Sequence, residues 1–479
     1  MSAISNVRWV GMSQGGRLAL QLGGLAILSR LLSPAVFGLV AMAAVVTNFA
    51  NLLRDLGTAA AVIQRKELSA STIAAAYWFS VASGLIIGVA LLAAAPLLAE
   101  LFRRPDLTGL LRVLALSFPL ASLGTVHQAL LERDSRFSTV AGIEVLSSSV
   151  GLGIAIVAAA LGARAYSIAL QTVCVAGLSS LQFWRASPWR PRRAESVADE
   201  LRSIWHFSGP LVGFNLINYL GRNADSMIIG RLLGAAALGP YSMAYRLMLF
   251  PVQNFTYVAN RALFPVYSRR QDSGDAVREL YLRTLGVIAS VTAPLMAGTL
   301  ALRYPLVHVL MGPKWGLTAA VLTWLAPVGF IQSLSSCAGA IYMARGRTRL
   351  MMGLGAVGSA IVIGSFLVGV RWGVLGVARG YLCANLVTAV PVFYITMRLL
   401  GGTMGELVGR IWRPIAGAAG MGLAVALAQS WMQAIGWPPW LRLILGVLLG
   451  ALLYGAMALR FAGPVLLDVR SLLGSRARG

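Results

Sequence analysis

The sequence predicts an all-α polytopic membrane protein of about fourteen transmembrane helices built from two homologous halves, and three observations lead there. Of 479 residues, 58% are hydrophobic and only 12% charged, with a mean hydropathy of +0.75, more apolar surface than a soluble fold can bury. The apolar residues fall into runs of about 20 residues, punctuated by Pro, Gly and charge, the length a helix needs to cross hydrocarbon. The stretch Ser29 to Ala43, SRLLSPAVFGLVAMA, returns 201 residues later as GRLLGAAALGPYSMA, Gly230 to Ala244. The identities are Arg30 with Arg231, Leu31 with Leu232, Leu32 with Leu233, Ala35 with Ala236, Gly38 with Gly239, Met42 with Met243 and Ala43 with Ala244. An echo of this kind between two hydrophobic hairpins is the mark of an internal duplication, common among membrane transporters.

The first half holds six predicted helices, at about 11 to 32, 35 to 57, 71 to 100, 107 to 130, 137 to 160 and 164 to 185. A polar linker, SPWRPRRAESVADELRS, covers Ser187 to Ser203. Six more helices follow, at about 204 to 230, 237 to 265, 281 to 303, 317 to 344, 350 to 370 and 373 to 397. A last pair, about 411 to 433 and 441 to 461, has no counterpart in the first half and is expected to be dispensable for insertion. The domain organisation is therefore an N-terminal lobe at 1–186, a linker at 187–203, a second lobe at 204–398, and the extra pair with its tail at 399–479. The apolar run after Arg8 is broken by Arg17 and lacks a small-residue cleavage site, so it reads as a retained first helix.

The net charge of +24 could suggest nucleic acid, but the basic residues stand singly between apolar runs, and no soluble basic domain is present to dock on a duplex. Topology explains the charge better. With the N-terminus inside, 25 Lys and Arg residues fall in inward loops and nine in outward ones, which puts both termini in the cytoplasm. Arg190, Arg192 and Arg193 read as a membrane-surface anchor. Cys174, Cys337 and Cys383 are odd in number and lie in apolar runs, which argues against a disulfide framework.

Six arginines remain at membrane depth: Arg17, Arg112, Arg222, Arg246, Arg261 and Arg379. A buried arginine costs about 2.5 to 3.5 kcal/mol on insertion scales, so each is expected to face a bundle interior or an aqueous cavity. Gln14, Arg17, Gln21 and Gly24 share one face of the first helix, and Asn215, Asn218, Arg222 and Asp225 share the corresponding face of the seventh. The second helix adds Asn48, Asn51 and Asp55 on one face with Arg54 beside it, and the eighth adds Arg246, Asn254, Tyr257 and Arg261 around Pro251. Two readings stand at this point. The groups pair with one another as glue between helices, Arg222 with Asp225 and Arg54 with Asp55, or they line a cavity for an anion. The sign of the charge favours the second, since the six arginines face only Asp225, Glu144 and Asp55, which are also the candidates for ion coupling.

Enzymatic chemistry has no foothold. The chain has no GxxxxGK[ST] loop, no metal-ligand spacing of His, Cys and carboxylate, and no nucleophile with a base partner, so neither a cofactor nor a metal is expected. The longest extramembrane segment is the linker of about 18 residues, too short for a catalytic domain. Movement of a solute fits better than bond-making.

At LSRLLSPAVFGLVAMA, DLGTAAAVIQRKELS, LLERDSRF, NYLGRNADSMIIGRLLGAAALGPYSMAYRL and LFPVYSR, the chain resembles the Wzx-type polysaccharide flippases, within the superfamily that also holds multidrug exporters and lipid II flippases. The resemblance runs from the first helix to about the twelfth. It implies two six-helix lobes around a central cavity that alternates between cytoplasm-open and periplasm-open states. The implied cargo is a polyprenyl-diphosphate-linked oligosaccharide, for exopolysaccharide, capsule or O-antigen (lipopolysaccharide) synthesis. Membrane lipids and the polymerase and chain-length proteins of the pathway are the implied partners, and nucleic acid is not. Arg222, Asp225 and Arg246 stand at motif positions, whereas Arg379 stands where an apolar residue is expected. Two rivals remain: an exporter of organic cations, which would want carboxylates in the first helix, and a membrane-embedded polymerase, which would want a large outward loop.

Overall fold

The computed structural model describes residue 16 and residues 20–55, 69–191, 219, 221–251 and 274–461. The described residues are helical throughout their regular structure, with no strand among them. The helices, in chain order, are α1 (Leu20–Leu31), α2 (Pro34–Asp55), α3 (Ala70–Leu101), α4 (Asp106–Ala115), α5 (Ser117–Arg133), α6 (Phe137–Ala160), α7 (Ala165–Ala186), α8 (Ala224–Leu232) and α9 (Ala235–Pro251). After them come α10 (Gly274–Ala301), α11 (Arg303–Met311), α12 (Gly316–Ser335), α13 (Ala338–Ala344), α14 (Thr348–Gly369), α15 (Gly373–Leu399), α16 (Met404–Ala434) and α17 (Pro439–Phe461). Several pairs are one span broken in the middle: α4 with α5 runs from Asp106 to Arg133, and α12 with α13 belongs to the stretch Pro313 to Ala344. With α10 and α11, parted only by Leu302, also taken as one, the described residues hold fourteen helices, as the hydropathy pattern predicts.

Proline explains two of the breaks. A proline has no amide hydrogen, and its ring crowds the carbonyl four residues back. Pro119 faces the carbonyl of Ala115, where α4 stops, and Pro305 faces that of Ala301, where α10 stops. Two helices begin earlier than hydropathy predicts. α10 starts at Gly274, near 274 instead of 281, because its charged first turns are held by pairs Arg278 with Asp275 at 3.0 Å and Arg283 with Glu279 at 2.7 Å. α16 starts at Met404, not near 411, because Thr403 caps it, its hydroxyl accepting the amide hydrogen of Glu406 at 3.3 Å.

The described residues form two compact units, Met1–Gly239 and Pro240–Gly479. In the first, helices approach through small residues, since lipid offers little hydrophobic drive and close packing must do the work. Any side chain at Gly84 of α3 would collide with Ser122 and the Phe118 carbonyl of α5. Ser180 of α7 donates to the Leu120 carbonyl at 2.6 Å, over Gly124. The opposite faces carry exposed Leu85, Ile86, Val89 and Leu97, the pattern of a surface solvated by hydrocarbon.

The two copies of the repeated hairpin meet inside this unit. A Cβ on Gly38 would strike the Ala235 carbonyl, and a Cβ on Gly239 would strike the Pro34 carbonyl. Shifting 34 and 38 by 201 gives 235 and 239, so the contact is reciprocal: each glycine meets the duplicate of the other's partner. Tyr219 adds to the association of this region with α2, donating its hydroxyl to the Val45 carbonyl at 2.8 Å with Phe49 alongside at 6.0 Å between ring centroids. The packing boundary falls after Gly239, because α8 and the start of α9 pack on α2.

The second unit is centred on α10. Tyr281, Leu285, Ile288 and Ala289 form its core with Leu334, Ile341, Met397 and Leu407. Leu407 belongs to α16, and further along Met421 and Val425 pack with Leu302, so the last helix pair is part of this core and not an appendage to it. Arg278 ties the turn between α15 and α16, donating to the Gly401 carbonyl at 2.9 Å with Glu406 at 3.5 Å.

Candidate substrate-binding surfaces

Two polar surfaces emerge, one in each unit. In the first, Gln21 is exposed on α1, while Gly24, three residues on, is buried against the Leu152 side chain of α6, so that face passes from exposed to buried within one turn. On α2, Asn48 is exposed, and Asn51 and Arg54 are half-buried. Asn48 hydrogen-bonds Tyr219, whose carbonyl accepts from Asn223 Nδ2 at 2.9 Å. Arg54 carries its backbone carbonyl against Ser83 of α3 at 3.3 Å. Tyr219 is thus the bridge between the amide-rich face of α2 and the start of α8.

The seventh helix separates its two charged residues by environment. Arg222 is exposed, whereas Asp225 is 4% exposed and its Oδ1 accepts the Ser226 amide hydrogen at 2.6 Å. A carboxylate in the first turn of α8 also interacts favourably with the helix N-terminus, so Asp225 is engaged by its own helix. Glu144 is half-buried on α6, and Asp55 ends α2 with its side chain outside the described residues. Gln14, Arg17, Asn215, Asn218, Asn254, Tyr257 and Arg261 also lie outside the described residues.

In the second unit Arg246 is exposed on α9. Its neighbour Tyr245 stacks between Tyr241 and Tyr381, with centroids at 6.2 and 6.3 Å. Gln332 Nε2 donates to the Tyr381 hydroxyl at 2.6 Å and to Asn385 Oδ1 at 3.2 Å. Asn385 in turn donates to the Tyr381 carbonyl at 2.8 Å. Sequence reasoning missed Gln332, Tyr381 and Asn385. The signal was present, since Gln332 and Asn385 are amides inside apolar runs, where an unpaired polar group is costly, but they sit on helices that the repeat comparison did not single out.

Amides, tyrosines and exposed guanidinium groups on membrane helices make a surface suited to hydroxyls and phosphate, with charge-assisted bonds to the latter. A family profile described as "Polysaccharide biosynthesis protein" matches residues 27–320. The chain is 25% identical to the lipopolysaccharide biosynthesis protein WzxC of Escherichia coli (strain K12) over 415 residues, 86% of this chain and 84% of that one. It is 26% identical to the teichuronic acid biosynthesis protein TuaB of Bacillus subtilis (strain 168), covering 94% of each, and 28% identical to the succinoglycan biosynthesis transport protein ExoT of Rhizobium meliloti (strain 1021), covering 98% and 93%. Among solved structures, the lipid II flippase MurJ in an inward closed conformation matches with a TM-score of 0.75 over 96% of this chain and 99% of that one, at 14% identity. An inward-facing transporter of the multidrug-resistance MATE family matches at 0.61, over 80% and 94%, at 19% identity. These two likenesses establish the fold.

Proposed function

The chain belongs to the polysaccharide biosynthesis protein family, and from that premise we propose that it flips a polyprenyl-diphosphate-linked oligosaccharide across the bacterial inner membrane by alternating access. The observation that carries the reading is that Arg222 and Arg246 stay accessible on helices of an apolar chain, Arg246 with protein packed closely around it, while Asp225, three residues from Arg222, is buried and engaged by its own helix. Cations kept exposed in such helices suit an anionic cargo. A diphosphate and its sugars would lose tens of kcal/mol of hydration per isolated charge in hydrocarbon, so a polar path must carry the headgroup while the prenyl tail stays in lipid. Moving negative charge outward from an inside-negative cytoplasm is also favoured, by about 2.3 kcal/mol per charge per 100 mV. Gln14, Arg17, Gln21, Asn48, Asn51, Arg54, Asn215, Asn218, Arg222, Arg246, Asn254 and Arg261 are the contacts this reading assigns, with both termini cytoplasmic and the repeat-related lobes at 1–186 and 204–398.

The test is flipping in cells that depend on this protein, with accumulation of the protein measured in parallel. Arg17→Ala and Arg222→Ala are expected to abolish transport with insertion intact, and Arg17→Lys to restore part of it, since a point charge attracts a diphosphate without binding it in bidentate fashion. Recovery of transport in Arg222→Ala/Asp225→Asn would show that Arg222 only balanced a carboxylate. Export of organic cations by the unaltered protein in a strain lacking its own pumps would favour the drug-exporter reading.

A further inference from the structure

The transport reading leaves two of the deep arginines unused, Arg112 and Arg379, and of these Arg379 lines a cavity. It stands six residues into α15, about 9 Å along a helix of 27 residues, or about 40 Å. A hydrocarbon layer of about 30 Å centred on that helix would place Arg379 about 4 Å inside it. The side chain is exposed, and its guanidinium lies 5.0 Å over the ring of Trp324. Trp324 is eight residues into α12, so the guanidinium is engaged by a neighbouring helix. Among the described residues it meets no carboxylate.

The guanidinium also lines a groove. α14 and α15 approach until backbone meets backbone: a Cβ on Gly369 would come within 2.5 Å of the Gly376 carbonyl, and one on Gly380 within 2.7 Å of the Ser365 carbonyl. Beside this seam lies a cavity of about 300 Å³ lined by Ser365, Gly369, Trp372, Arg379 and Cys383 among others, with Arg379 the charged residue of its lining. The groove opens sideways past Val368 and Trp372, which are 55% and 68% exposed. A cation–π contact with the Trp324 ring satisfies none of the guanidinium's N–H donors by a lone pair, so they remain to be met by an acceptor.

We infer that this groove between α14 and α15 binds the phosphate of an anionic phospholipid through Arg379. Charge and size choose the occupant. One guanidinium balances the one negative charge of a phosphodiester, whereas a polyprenyl phosphate or diphosphate would bring surplus charge into a site with a single cation. A volume of about 300 Å³ is at the small end of ligand pockets, room for a headgroup whose acyl chains continue into the bilayer through the open side. Trp372 at the mouth supplies an indole of the kind that settles at headgroup level. The site lies wholly in the second unit and does not depend on the transport reading.

The experiment uses the full chain in detergent and in nanodiscs, with dioleoyl phosphatidylglycerol, dioleoyl phosphatidylethanolamine and undecaprenyl phosphate as probes. Native mass spectrometry should show one retained phosphatidylglycerol per chain that phosphatidylethanolamine displaces poorly. Arg379→Gln should weaken its retention at least tenfold, about 1.4 kcal/mol, and Arg379→Lys much less. Cys383→Phe, at an exposed position, fills the groove with the arginine intact and should weaken retention as well. Phosphatidylglycerol should also slow maleimide modification of Cys383 in the unaltered protein, a readout that needs no variant to fold. Unchanged retention in Arg379→Gln, equal binding of phosphatidylethanolamine, or preferential binding of undecaprenyl phosphate would each overturn the assignment. Loss of this lipid with flipping intact would confirm it and leave the transport reading untouched.

Discussion

The residues with the least side chain carry the tightest contacts. At Gly38 and Gly239 a methyl group would press on a carbonyl, and relief requires the two helix starts to separate. Gly38→Ala is expected to destabilise by at least the usual cost of overpacking, about 1–3 kcal/mol, seen as a lower melting temperature in detergent. Gly38→Ala/Gly239→Ala should cost less than the sum of the two, because one separation relieves both clashes. The identity of the pair was legible in the sequence as an echo, but their meeting was not, since a repeat states likeness and says nothing of proximity. The amide of Gln332 was likewise visible, yet its bonds to Tyr381 and Asn385 join positions 49 and 53 residues away, which no spacing along one helix reveals. Where single-helix periodicity sufficed, as for Asn48 and Asn51, sequence reasoning placed residues on one described face of α2.

At the level of helices, hydropathy located nearly every span, because lipid-exposed faces must be apolar whatever their neighbours. It failed at ends where polar chemistry decides, as Thr403 does for α16 and the paired charges do for α10. Thr403→Ala should reduce stability by about 1 kcal/mol, the usual loss of a hydroxyl cap, measurable as earlier unfolding or faster hydrogen exchange in the first turn of α16. The sequence also suggested that the last pair could be removed. Its packing argues otherwise: truncation after Gly402 would strip Leu407, Met421 and Val425 from the core of the second unit and uncover the buried face of α10. A chain ending at Gly402 is therefore expected to be degraded or to aggregate, and recovery of a monodisperse truncated protein would refute the point.

For the whole molecule, composition and charge asymmetry fix what kind of object this is and which way it is expected to face. The orientation can be read with single cysteines in a background where Cys174, Cys337 and Cys383 are alanine. Ser187 is buried, so exposed Pro188→Cys is the better inward reporter, with Gly316→Cys, in open space, as the outward one. A membrane-impermeant maleimide applied to intact cells should modify only Gly316→Cys, and the reverse pattern would invert the topology. One consequence of the hairpin contact reaches further back than any of these tests. A contact in which each residue touches the duplicate of its partner's position is the kind made by two identical subunits about a two-fold axis. Were each half a separate chain, any change at that position would enter the contact twice at once. Joined in one chain, the sides are free to drift singly, and Pro34 facing Gly239 while Ala235 faces Gly38 is what such drift leaves behind.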